Sequence, residues 1–232
     1  MRVIALETTE RIGSVAALSN GKVLAEKRLP PHQRSAQSLA PGLRDLLAAV
    51  GWKPTEVDLV AACLGPGSFT GLRVGVTTAK VLAYCAGADV LGVDTLEVIA
   101  AGCPEDVPAV SVAVDAQRGQ VVAGAFERDA QGWPVATAEP QLLDIDAWLA
   151  RLAPGTVLCG PILRKIADRV PEGVTMLDPQ YWAPSAAVLA KLAERHYAAG
   201  RRDDLWKLVP RYSRRSAAEE KWEEKRKRER SS

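Results

Sequence analysis

The sequence predicts an α/β protein built from two related units, and two observations predict it. The first is the glycine-rich segment Gly65-Pro66-Gly67-Ser68-Phe69-Thr70-Gly71-Leu72-Arg73-Val74-Gly75. It lies between an apolar run, Leu59 to Leu64, that reads as a buried strand, and Leu72 to Ala86, which has the length and composition of a helix. The second is a recurrence. Val3-Ile4-Ala5-Leu6 is closed by Glu7, and Val110-Ser111-Val112-Ala113-Val114 is closed by Asp115; each is followed by a turn and a return strand. An ancient duplication accounts for this, and so does a chance likeness between two hairpins; the acid at the same point in both favours duplication.

The elements follow in order. Arg2 to Leu6, Ser14 to Leu18 and Lys22 to Leu29 read as three strands, with Asn20-Gly21 as a hairpin turn. Pro30-Pro31 breaks the run. Ser38 to Val50 reads as a helix with Leu39, Leu43, Leu46, Leu47 and Val50 on one face, and Pro41 in its first turn. After the glycine loop and its helix come a strand at Val90 to Val93 and a helix at Thr95 to Ala101. Ala109 to Val114 and Gln120 to Phe126 form the second hairpin. Helices are expected at Asp144 to Leu152, Pro161 to Val170 and Ser185 to Ala199, the last with Ser185 as N-cap and Gly200 beyond its end, and a strand at Val157 to Cys159. The expected domains are 1–105, completed by the helix near 185–200, and 106–184. The charged tail 213–232 is either an exposed helix supported by Glu223–Lys227 and Glu224–Arg228 pairs or disordered.

The 232 residues suffice for a sizeable core, and 47% hydrophobic with 25% charged residues is ordinary for a globular protein. No apolar run approaches a membrane span, and the short N-terminal run ended by Glu7 is no signal peptide, so the expected setting is cytoplasmic. Cys63, Cys85, Cys103 and Cys159 form no C-x-x-C pair and are expected as reduced, buried thiols. The net charge of +2 is uneven: residues 211–232 hold nine Lys/Arg and five Asp/Glu, leaving 21 basic against 23 acidic residues elsewhere. Electrostatic attraction to phosphates is therefore expected from the tail or from local patches.

The glycine loop fits neither phosphate-binding pattern. Thr70 and Leu72 stand where a P-loop from Gly65 or Gly67 needs glycine, and Thr70 replaces the third glycine of G-x-G-x-x-G. On its own terms, the loop offers backbone amides with Gly67, Ser68 and Thr70 to cradle a phosphate, and Arg73 to pair with it or with an acidic partner. Glu7 and Asp115 are placed to hold a metal-bound nucleotide across a cleft, or simply to cap their turns, the latter being favoured for Glu7 alone. Gly71, Gly75, Ala79, Ala83 and Gly87 recur every fourth residue and form a shallow stripe for close packing, against a partner helix or this chain's own sheet. His32 and His196 make no H-x-x-x-H pair and are expected on the surface; no G-x-S-x-G is present.

Four segments resemble one family: Gly65 to Gly75, the opening VIALETT, Val114-Asp115-Ala116-Gln117-Arg118-Gly119-Gln120-Val121, and Pro210-Arg211-Tyr212-Ser213-Arg214. They are similar to TsaB, also called YeaZ, over about residues 1 to 128 and again at 210 to 218. The resemblance implies an actin-like and sugar-kinase-like fold, a duplicated ribonuclease-H-like architecture of two subdomains. It implies a paralogue of TsaD (Kae), the subunit whose H-x-x-x-H site binds the metal and does the chemistry. This chain would be its non-catalytic partner. With TsaD and the ATPase TsaE, the family serves transfer of threonylcarbamoyl from its adenylate to the adenosine beside the tRNA anticodon. No catalytic residue, metal ligand or bound cofactor is then expected here; ATP and metal belong to the partner subunits. The contact to TsaD, or to a second copy when free, would use the first two helices, placing Leu39, Leu43, Leu72, Gly75, Val76, Ala79 and Ala83 at the interface. The sequence departs from the family pattern at Glu7, where Asp is usual, at Ser35, where a histidine is frequent, and in its tail beyond Ala218. A sugar-kinase-class phosphotransferase or ATPase using Glu7, Asp115 and the loop is the alternative; a metallopeptidase relative is opposed by the missing histidine pair.

Overall fold

The computed structural model describes residues 1–33, 35–213 and 226. The expectation for the tail, including its two ion pairs, lies outside the described residues.

The first sheet is built from β1 (Arg2–Glu7), β2 (Ser14–Ser19), β3 (Lys22–Arg28), β4 (Leu59–Gly65) and β5 (Asp89–Asp94), in the order β3-β2-β1-β4-β5. β1 pairs antiparallel with β2 and parallel with β4, which pairs parallel with β5. All seven residues of β4 are buried, as expected for a parallel strand covered on both faces. One face packs under α1 (Ser35–Val50) and α2 (Phe69–Ala86), where Ile4, Leu6, Val60 and Ala62 meet Leu39, Leu43, Leu46, Val76 and Ala79. The opposite face, with Val3, Ala5, Ala61 and Leu91, packs against α6 (Ala186–Ala198) through Leu189, Ala190, Leu192 and Ala193. The sheet alternation thus feeds two separate cores.

The second sheet contains β6 (Ala109–Gln117), β7 (Gln120–Arg128), β8 (Pro134–Ala136), β10 (Val157–Cys159) and β11 (Thr175–Met176), in the order β11-β10-β6-β7-β8; β9 (Gln141–Asp144) also pairs with β7. β6 repeats the role of β1, antiparallel to β7 and parallel to β10. Its helices are short: α4 (Ile145–Leu149) and α5 (Leu163–Ile166). Between the sheets lies α3 (Thr95–Ala101), whose Leu96 and Ile99 join the second core while Val98 joins the first unit's.

Several expected boundaries move. α1 begins at Ser35, so Pro41 sits inside the helix rather than in its first turn. The helix expected over Asp144 to Leu152 is the shorter α4, with Asp144 as its N-cap and the last residue of β9, and Pro161 to Val170 yields one short α-helix and a 3-10 turn at 167–169. Ser185 caps α6 by accepting from the amide of Val188, and Gly200 follows its end with φ +91°. Cys85 is exposed rather than buried. His196 is partly buried and bonded to Glu97 at 2.8 Å, not free on the surface.

Candidate functional site

α2 starts where Ser68 accepts from the amide of Gly71, and Gly87 with φ +67° ends it. Its N-terminal half crosses the end of β1 so closely that side chains are excluded. A Cβ on Gly71 would lie 1.9 Å from the Thr8 carbonyl oxygen, and one on Gly75 2.2 Å from Thr8 Oγ1. Thr8 Oγ1 donates to the Gly71 carbonyl at 2.8 Å, which fixes the crossing. The small-residue stripe is therefore filled from within the chain. Leu39, Leu43, Leu72, Gly75, Val76, Ala79 and Ala83 are all buried in this unit's own interior, so none of these seven expected interface residues is presented to a partner. The outward faces of the same helices carry other residues: Ala40, Pro41, Arg44 and Ala48 on α1, and Arg73, Thr77, Val81 and Tyr84 on α2.

The expected nucleotide contacts separate in a similar way. Glu7 is fully buried and folds back, accepting from both the amide and the hydroxyl of Thr9; its Oε2 has no partner. Burial raises its carboxyl to about 7 against the opposing Thr9 bonds. Of the two roles considered for Glu7, capping of its own turn is the one this geometry displays. Gly67 packs on Thr9, whose Cβ would be 2.5 Å from an added Cβ, and the Ser68 amide donates to the Thr9 carbonyl at 2.8 Å. Part of the phosphate cradle is thus occupied by the turn after β1. Ser68 and Thr70 line an open cavity of about 510 Å³ with Glu10, Arg11 and His32. Arg73 turns away from it: its guanidinium lies 4.0 Å over the Phe69 ring, and Nε donates to Tyr212 Oη at 3.0 Å.

Asp115 caps its turn, accepting from the Gln117 amide at 2.7 Å, and pairs with Lys165 at 2.5 Å. Its neighbour Arg164 reaches into the first unit to Glu10 at 2.8 Å. One short helix, α5, therefore supplies a cation to an acid beside each of the two turns that face each other across the units. Glu7 and Asp115 do not act as a free pair of carboxylates. Among the described residues, no group of three or more His, Cys, Asp and Glu is arranged to hold a metal ion, and no helix is long and apolar enough to cross a membrane.

One element was not anticipated. Residues 203–212 form a strap along α2 and the edge of the first sheet. Asp203 accepts from the Gly92 amide at 2.8 Å, Lys80 Nζ donates to the carbonyls of Trp206 and Leu208, and the Arg211 amide donates to Leu64 at 2.7 Å. Its sequence signals are the density of Leu205, Trp206, Leu208, Val209 and Tyr212 in an otherwise charged stretch and, at its end, the Pro210-Arg211-Tyr212 part of a segment that carries the family resemblance, neither of which states where it packs.

Two sheets of repeated strand order, facing each other through their hairpin turns, define the actin-like and sugar-kinase-like class of α/β proteins. The family model for TsaD, tRNA N6-adenosine threonylcarbamoyltransferase, matches residues 23–168. The tRNA threonylcarbamoyladenosine biosynthesis protein TsaB of Escherichia coli is 29% identical over 226 residues, 94% of this chain and 96% of that protein. Its Bacillus subtilis namesake is 28% identical over 98% of this chain and 100% of its own length. The structure of YeaZ from Pseudomonas aeruginosa superposes with a TM-score of 0.78 at 27% identity, covering 91% of this chain and 99% of that one. The chain belongs to the TsaB (YeaZ) family of tRNA threonylcarbamoyladenosine biosynthesis proteins.

Proposed function

We propose that this chain is a non-catalytic partner subunit, which binds and stabilises a TsaD-like enzyme during transfer of threonylcarbamoyl from its adenylate to the anticodon-adjacent adenosine of tRNA. TsaE-like ATPase and tRNA would meet it within that assembly, and a second copy of the chain would occupy the same face when the enzyme is absent. The observation that carries the reading is the state of the strand-ending acids. Glu7 is sealed inside the first unit, and Asp115 is held by Lys165 and its own turn. Neither is left to position a reacting group, whereas the outer faces of α1 and α2 are uncovered. The exposed alanines at 40 and 48 on α1 permit close approach of another helix, which relocates the expected contact from the buried side of these helices to the open one.

The test is reconstitution of threonylcarbamoyl transfer to tRNA. The purified chain alone is expected to give no product, and its addition to a TsaD-like enzyme is expected to raise turnover. Product formation by the chain alone would overturn the proposal.

A further inference from the structure

Among the described residues, ten large apolar side chains are left exposed, and five of them are distributed along α2 and the strap beside it: Val81 and Tyr84 on α2, with Trp206, Val209 and Tyr212 on the strap. Concentration of half the exposed apolar groups on one helix and one ten-residue segment marks a surface that a partner covers. We infer that the strap forms, with the outer face of α2, a docking surface for a protein partner that presents apolar side chains framed by carboxylates. This rests on the partner-subunit reading and specifies the partner's chemistry.

Three features carry the inference. The first is preorganisation. The strap backbone is held by Lys80 at two carbonyls and by Arg211 at Leu64, and Leu208 is inserted in the first unit's core. A loose segment would be free to bury its tryptophan; this one is pinned while Trp206 stays 73% exposed, backed only along one edge by Tyr84 at 5.8 Å between ring centroids. Fixed aromatic side chains on a rigid backbone lose little freedom on binding, which is the character of interface hot spots. The second is composition. At the other end of the strip, Arg73 lies over the Phe69 ring, which packs 4.6 Å from the Tyr212 ring, so Trp, Tyr and Arg occur with two valines along this surface. Valines offer nothing to stacked bases, and the grouping fits a protein better than a nucleic acid.

The third is charge. α2 contains no Asp or Glu, and its charged residues are Arg73 and Lys80. On the strap itself stands Lys207, with its side chain 85% exposed. The acid beside it, Asp204, is engaged by the Trp206 amide and by Lys207. The rim is therefore cationic, and the complementary partner surface carries carboxylates.

The experiment measures the affinity of a purified TsaD-like enzyme for the full chain and three variants. Trp206→Ala/Val209→Asp is expected to weaken binding roughly tenfold or more. Lys207→Glu, on a side chain too exposed to affect folding, is expected to weaken it severalfold and to reduce its salt dependence. Ala40→Arg on α1 reports on the helix face independently of the strap. If both strap variants bind as the wild type does while Ala40→Arg does not bind, the inference fails and the partner-subunit reading stands. If the wild-type chain does not bind the enzyme, both fail. Strap variants that keep their affinity for the enzyme and lose it for tRNA would overturn the inference in favour of a nucleic-acid surface.

Discussion

The two units share a strand order and differ in what covers it. In the first, the crossovers either side of β4 are helices of 16 and 18 residues; in the second, the corresponding crossovers around β10 carry helices of 5 and 4. The first unit accordingly seals the end of its leading strand, and Glu7 is wholly enclosed. The second leaves that end open enough for Asp115 to be solvated and to pair with Lys165, whose side chain is largely exposed. Long helices create an enclosed core and a broad outer face at once. The broad exposed helix faces therefore belong to the first unit, and the second contributes Arg164 of α5, which joins the two through Glu10.

The sharpest way to break the comparison is at the glycines. The tightest approach of backbone to backbone in each unit is at a glycine: Gly71 against the Thr8 carbonyl in the first, and Gly160, with φ +122°, where an added Cβ would lie 2.1 Å from the Ala113 carbonyl oxygen, in the second. Alanine at either position is expected to cost about 3 kcal/mol or more, read as loss of the folded baseline in chemical denaturation. Gly75→Ala is expected to be partly rescued by Thr8→Ala, because there the obstructing atom is the removable Oγ1. The open turn glycine Gly119 has only its φ of +75° to lose, and Gly119→Ala should cost about 1 kcal/mol. Equal effects at Gly71 and Gly119 would show that close approach is not what shapes the first unit.

A second difference is in pH response. The Glu7 carboxyl is raised from 4.5 to about 7 in the folded chain. The native state therefore holds a proton that the unfolded chain gives up between those values. The stabilisation is fully present below about pH 4.5 and is lost as pH rises through 7, a fall of about 3 kcal/mol. Denaturant unfolding at intervals from pH 5 to 8 should show this slope in the wild type and a much flatter profile in Glu7→Gln. The same slope in both proteins would place the proton elsewhere.

How much of this was legible in the sequence follows from the range of each interaction. Local signals were sufficient for the hairpin at Asn20-Gly21, the Ser185 cap, the strand–loop–helix around Gly65 and the repeated acid-ended strand, because each is encoded by neighbours in the chain. The stripe on α2 was also visible, but not what fills it. Thr8 is 63 residues from Gly71, and no periodicity states whether a groove is closed by its own sheet or by another molecule. The same limit applies to Glu7, whose burial is decided by helices far along the chain, and to Cys85, which an apolar segment turns outward. The strands at 134–136, 141–144 and 175–176 are too short for alternation to register and exist only because β7 and β10 are there to pair with them. The strap is irregular, and its value comes from where it lies rather than from any repeat in its residues.

The smallest effect tests the second unit's acid. Asp115→Asn removes the charge that Lys165 meets while keeping an oxygen for the Gln117 amide. An ion pair with a largely solvated lysine contributes little, so stability should drop by about 0.5 kcal/mol or less, and the drop should shrink in high salt. The contrast with Glu7→Gln then separates two acids at equivalent strand ends by environment alone, one removed from water and one screened by it. A phosphotransferase reading predicts something different of the same variant: ATP turnover by the isolated chain, abolished by Asp115→Asn. Measuring ATP hydrolysis by wild type and variant, alongside the unfolding curves, decides whether Asp115 is a turn cap joined to α5 or a residue kept for chemistry; equal, background rates with a small stability change are the expected pair of results.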